Sequence, residues 1–170
     1  AASISDSAIG DGLFTRVNIT KVSTDGEIIW AKTVGKQHLW NKVYGIYKAH
    51  DSGYIMCGFR HDSAFSMGFL NSSAWICKVD ENGDSLFWRE YEYYDDPEYH
   101  MNEFYDLHLT SDGGYIAIGQ TSTFYDPQQT WLLKVDSIGC DTPGCDPTVW
   151  VRPIKAALEQ EIKVFPNPFT

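Results

Sequence analysis

The sequence predicts an all-β protein of repeated four-stranded units; two recurring blocks, with almost no competing helical pattern, carry that prediction. DGGYIAIG at residues 112–119 occurs earlier as DSGYIMCG at residues 51–58. Laid over one another without a gap, residues 43–60 match residues 104–121 at a constant offset of 61 (112 − 51). Tyr44 falls on Tyr105, Asp51 on Asp112, Gly53 on Gly114, Tyr54 on Tyr115 and Gly58 on Gly119. A second block recurs three times, as ITKVSTDGEIIW at 19–30, WICKVDENGDSLFW at 75–88 and WLLKVDSIG at 131–139. Its lysines stand at 21, 78 and 134, so the spacings are 57 (78 − 21) and 56 (134 − 78). Self-similarity at such a period marks stacked or radial repeats, in which each unit buries its apolar face on the next. Only residues 155–161 approach a helical period.

In the complete unit, residues 43–49 read as a first strand ending in the turn His50-Asp51-Ser52-Gly53, where Gly accepts positive φ and Asp bonds its own backbone. Residues 54–59, aromatic and aliphatic, are the second strand. A Ser/Gly/Asn loop at 60–73 leads to the third at 74–79, and Asn82-Gly83 between apolar runs is a hairpin signal leading to the fourth at 85–91. Counting back from the lysines, the chain starts in mid-unit and supplies only the third and fourth strands (15–34) of its first unit. Trp30, Trp88 and Trp150 fall at matching places, and with Trp75 and Trp131 are expected to fill the space between units. Four-stranded units of this length are blades of a β-propeller, a ring usually of about four to eight. The expectation is an incomplete ring of two and a half to three blades over residues 1–150: a partial blade at 1–35, a full one at 43–93 and a last at 104–150. Residues 151–162 have lost both Gly turns and aromatic strands and read as a linker, followed by a new domain's start at 163–170.

Composition bounds the function. With 43% hydrophobic and 15% aromatic residues the 170-residue chain folds, and 13 basic against 23 acidic residues exclude nucleic acid as the main partner. No apolar run approaches a transmembrane segment. The start AASISDSAIG, lacking Met and a leader, reads as a processed or truncated product.

These blocks resemble a family of secreted Bacteroidetes repeat proteins whose blades read DGGYIxxG, then W(L/I)xK(V/L)DxxG, and whose arrays end in a Gly-Cys…Pro-Gly-Cys turn before a type IX secretion sorting domain. Here the turn is Gly139, Cys140, Pro143, Gly144 and Cys145, and the sorting motif is Val164, Phe165, Pro166, Asn167 and Pro168. The resemblance implies a secreted or outer-cell-surface propeller, delivered by the type IX outer-membrane machinery through its C-terminal tail and acting as a binding or structural module on a surface or glycan ligand. Two alternatives stand beside it: a propeller enzyme acting on extracellular glycans, and a structural subunit of a surface assembly. In an exported chain Cys140 and Cys145 read as a disulfide; zinc would require two further ligands nearby. For Cys57 and Cys77, on adjacent strands, a bridge and a pair of buried thiols both fit.

The acidic aromatic loop EYEYYDDPEY at 90–99 offers Glu92, Tyr94, Asp95, Asp96 and Glu98 as a candidate ligand or Ca²⁺ loop, against a solvated connection between units. Asp80, Asn82 and Asp84 imitate part of a calcium loop, but the other copies lack the oxygens and a hairpin turn explains them better. The five histidines, at 38, 50, 61, 100 and 108, show no metal-ligand spacing, and no nucleophile elbow or phosphate loop is present, so no catalytic set is assigned. An enzyme would need an acid pair along the inner strands, where Asp106 stands opposite Gly45 of the other copy.

Overall fold

The computed structural model describes residues 2–9, 12–35, 39–61, 71–93, 99–142 and 145. Among these are ten strands: β1 (Ala2–Ile9), β2 (Gly12–Val22), β3 (Ile28–Val34), β4 (Asn41–Lys48), β5 (Tyr54–His61), β6 (Ser72–Val79), β7 (Ser85–Tyr91), β8 (His100–Leu109), β9 (Tyr115–Thr123) and β10 (Gln129–Val135). The chain is all-β. β4 to β7 form a four-stranded antiparallel meander, the middle unit. β8 to β10 repeat its first three strands as the last unit, and a single parallel bridge, Ser72 to Met101, joins the two. β1 to β3 make a separate sheet, the first unit, and the described sheets do not close on themselves.

The offset of 61 holds at the level of hydrogen-bond register. Asn41 pairs Arg60, Val43 pairs Gly58 and Gly45 pairs Cys57. Each pair recurs 61 residues on, as Asn102 with Thr121, Phe104 with Gly119 and Asp106 with Ile118. Both ladders bulge at the same place, Tyr44 and Tyr105 being the extra residues. The bulge explains the repeat's final glycine: a Cβ on Gly58 would lie 1.9 Å from the Lys42 carbonyl oxygen, and one on Gly119 1.7 Å from that of Glu103. The repeat's Asp and Lys explain each other as well, since Lys78 pairs Asp51 at 2.7 Å and Lys134 pairs Asp112 at 2.9 Å.

Units stack through alternate faces of each strand. Val17, Ile19 and Val34 of the first unit pack against Met56, Trp75, Cys77 and Val79. The opposite face of the middle unit, with Ile55, Cys57, Ala74, Ile76 and Tyr91, packs against Phe104, Leu107, Tyr115, Ala117, Trp131 and Val135 of the last. The same polar latch closes both junctions. Asn41 Nδ2 donates to the Thr15 carbonyl at 2.8 Å and its backbone N–H to the Thr15 hydroxyl at 2.7 Å. Asn102 does likewise with Ser72, at 3.4 and 3.2 Å. Buried polar groups need such partners, and in pairs they fix the distance between sheets.

Two expectations are corrected. The first unit has a strand before its third one: β1 pairs β2 from Ala2–Ile19 to Ile9–Gly12, in the place β5 holds beside β6. Trp30 and Trp88 do not match. The β2–β3 and β6–β7 registers coincide at an offset of 57, which puts Trp30 on Phe87 and Ala31 on Trp88, so the two indoles point to opposite faces. Trp88 stacks on Trp75 at 4.3 Å, whereas Trp30 meets Tyr54 edge-on at 6.2 Å and donates to the Glu81 carbonyl. The Asn82-Gly83 hairpin signal is borne out, with the turn at residues 80–83 joining β6 to β7. Gly83 N–H bonds the Asp80 carbonyl and Gly83 alone has positive φ, so the turn is a type I turn followed by a left-handed glycine. Gly26 and Gly139 repeat it.

Candidate functional site

The first strands of adjacent units, β4 and β8, meet along a seam, and their bulges shape it. A bulge turns two successive side chains toward one side. Tyr44 and Tyr105 meet there edge-on with ring centroids 5.1 Å apart, and both rings remain exposed, at 49% and 39%. Behind Tyr44 the buried Phe59 ring stands at 5.8 Å, followed by His61 at 5.3 Å and Trp40, which lies 4.6 Å from His61. The Lys42 ammonium sits over the Trp40 ring at 4.8 Å and the Phe59 ring at 5.5 Å.

The polar groups of the seam are held. Tyr105 donates to Glu103 Oε2 at 2.5 Å, and Gln120 Nε2 donates to the same oxygen at 3.0 Å. Tyr47 donates to Asp106 Oδ1, which also accepts the Leu107 N–H at 2.8 Å. The bond to Asp106 and partial burial push the Tyr47 hydroxyl up to about 12. Burial and the Glu103 carboxylate raise Tyr105, and the same two causes raise Tyr44. At neutral pH these hydroxyls are protonated donors beside apolar ring faces. Such a surface stacks and hydrogen-bonds; it holds no activated nucleophile.

Of the residues singled out in the sequence, Cys140 and Cys145 are disulfide-bonded, with Cα atoms 5.8 Å apart. Cys57 and Cys77 are free and buried, and the bridge between them is excluded by topology. Cys57 pairs Ile76 and Cys77 pairs Met56, so the thiols project from opposite faces of the sheet, and burial pushes each up to about 12. Glu92 accepts the Ser73 hydroxyl at 2.8 Å, while Tyr94, Asp95, Asp96 and Glu98 lie outside the described residues, as do Val164, Phe165, Pro166, Asn167 and Pro168. Asp80 Oδ1 accepts the N–H groups of Asn82 and Asp84 at 2.9 Å, a turn rather than a calcium loop. Among the described residues, no three His, Cys, Asp or Glu side chains are grouped to hold a metal ion, and no helix is long and apolar enough to cross a membrane.

Two constellations escaped the sequence reading. One is the Asn latch. The other is the nearly buried ion pair of Arg60 and Glu90, two bonds of 2.6 Å with side chains 11% and 9% exposed, joined by a Trp88 indole N–H at 3.2 Å. Asn41 and Asn102 do recur at an offset of 61, which is the signal for the latch; nothing in the spacing of Arg60 and Glu90 announces their meeting. In comparisons with known proteins, no family model and no curated protein matches this chain.

Proposed function

We propose that the units are blades of a β-propeller and that the chain is a secreted or cell-surface binding module, cargo of type IX secretion, with no catalytic role. The observation that carries the binding reading is the seam. Its carboxylates and hydroxyls already hold one another, and what faces outward is a pair of tyrosine rings framed by Glu103, Gln120 and Lys42. Rings beside fixed acceptors and amides suit a glycan, whose C–H faces stack on aromatics while its hydroxyls exchange hydrogen bonds with the rim. The repeated register, the repeated latch and the face-to-face burial support the blade reading. The Cys140–Cys145 bond supports passage through an oxidising compartment.

The tail supplies delivery in this reading: the linker from 151 is the cleavage region, and the Val164–Pro168 motif opens the domain that the outer-membrane translocon reads. Deleting everything after Pro153 in the native host tests it. Periplasmic accumulation is the expected result; unchanged delivery to the surface or medium sinks the secretion claim.

A further inference from the structure

The two outward faces of the stack differ in chemistry. In the middle unit, the face turned toward the last unit carries Ile55, Cys57, Ala74 and Ile76, all fully buried. Ladder registers place Ile116, Ile118, Thr130 and Leu132 at the same positions of the last unit. There Ile118 is 45% and Leu132 61% exposed. The apolar character of a covered face is thus present with no cover among the described residues.

At the other end the indoles of a junction are lacking, although Val22, in the place of Val79, is 51% exposed on that face. The face by which a unit packs on its predecessor is built around Trp75, Cys77 and Trp88 in the middle unit and Trp131 and Leu133 in the last. In the first unit the β2–β3 register puts Asn18 in the place of Trp75, Thr20 in that of Cys77 and Ala31 in that of Trp88. The Thr33 hydroxyl donates to Asn18 Oδ1 at 2.8 Å across this face. The indole pair that fills a junction elsewhere is missing, and a hydrogen bond between side chains stands where it would lie.

We infer that the stack is polar, and that the face of β8 to β10 bearing Ile118 and Leu132 is the docking surface for one more sheet of this same repeat, seated as β8 to β10 are seated on the middle unit. The junction between the middle and last units defines the occupant's chemistry: an antiparallel sheet with aromatic and aliphatic side chains at the positions of Phe104, Leu107, Ala117 and Trp131. A second copy stacking head to tail would bring the Asn18 face instead, which lacks the indoles. The inference rests on the blade reading, but not on how the protein is delivered.

The test uses a Leu132→Cys variant of the full chain, whose other thiols are buried or disulfide-bonded, and the same variant with a duplicate of residues 94–145 inserted after Cys145. The measured quantity is the alkylation rate at position 132. Fast labelling in the parent, slowed about tenfold or more by the inserted unit, is the expected result. A duplicate carrying Trp131→Asn, copying the first unit's outer face, should leave labelling fast. Unchanged labelling with the intact duplicate overturns the inference. Slow, concentration-dependent labelling of the parent means that a second copy already covers the face, and slow, concentration-independent labelling that residues 146–170 do; either result also overturns it. Because labelling reads sheet packing alone, failure here is distinguishable from failure of the secretion claim.

Discussion

The middle and last units share the register of their first three strands and yet hold themselves together with different polar chemistry. The glycine facing the bulge, the Asn latch and the Asp-Lys pair are common to both. Where the middle unit has Arg60, however, the last has Thr121, whose hydroxyl donates to Asn102 Oδ1 at 2.9 Å. Where the middle unit has Gly45, the last has Asp106. Steric constraints imposed by backbone on backbone allow one residue type, so they repeat; at the places of Arg60 and Gly45 any satisfied group is tolerated, so the residue varies.

The largest expected difference between the units lies at that variable position. Removing one partner of a nearly buried pair strands the other charge, so Arg60→Ala should cost about 3–5 kcal/mol, whereas Thr121→Ala should cost about 1 kcal/mol. Urea unfolding midpoints measure both; equal losses would show that the ion pair carries no special weight. The latch gives the next comparison. Asn41→Ala should cost about 2–3 kcal/mol and Asn102→Ala less, because the first junction has the shorter bonds. A larger loss at Asn102 in the same assay would overturn this ranking.

The Asp-Lys pairs give a smaller, pH-dependent effect. The bond to Lys78 holds the Asp51 carboxyl below its ordinary value, and Asp112 is held low by Thr110 and Lys134. A depressed carboxyl contributes stability above its unfolded value of 3.8, lost as pH falls through the folded one. Lys78 is pulled down by burial, the largest cause, but raised more by Asp51 and Tyr115 together, so its contribution is present below 10.5 and lost as pH rises beyond. Asp51 is half-exposed, so Lys78→Met should remove at most about 1 kcal/mol of pH-dependent stability between these limits. Thermal midpoints of wild type and variant that run parallel from pH 3 to 7 would show no linkage. The smallest effect is a gain. Ser52 has φ 69° where the last unit has Gly113, so Ser52→Gly should stabilise by about 0.5–1 kcal/mol, read as a raised thermal midpoint, whereas Gly113→Ser should destabilise.

Much of this plan was legible because backbone constraints leave a spelling. The offset of 61 predicted the β4–β5 and β8–β9 registers, and two cysteines bracketing a short Pro-Gly loop in a chain read as exported predicted the disulfide. The latch was harder to see: its Asn residues recur at 61 while Thr15 and Ser72 recur at 57, the connections between them differing in length. Trp30 and Trp88 misled because large residues invite alignment, and one position of difference in a strand is a change of face. The pairing of Arg60 with Glu90 depends on two strands meeting and has no local signature.

The disulfide has a mechanical consequence. The last hairpin turn is tied to the middle unit, with Arg89 donating to the Ile138 carbonyl and Tyr91 to that of Gly139. A pull applied to the chain beyond Cys145 therefore passes through sulfur to Cys140, leaving residues 141–144 outside the load path. It is shared at once between β10 and the fourth strand of the neighbouring unit, so tension on the tail is resisted by a junction between units before it reaches a single sheet.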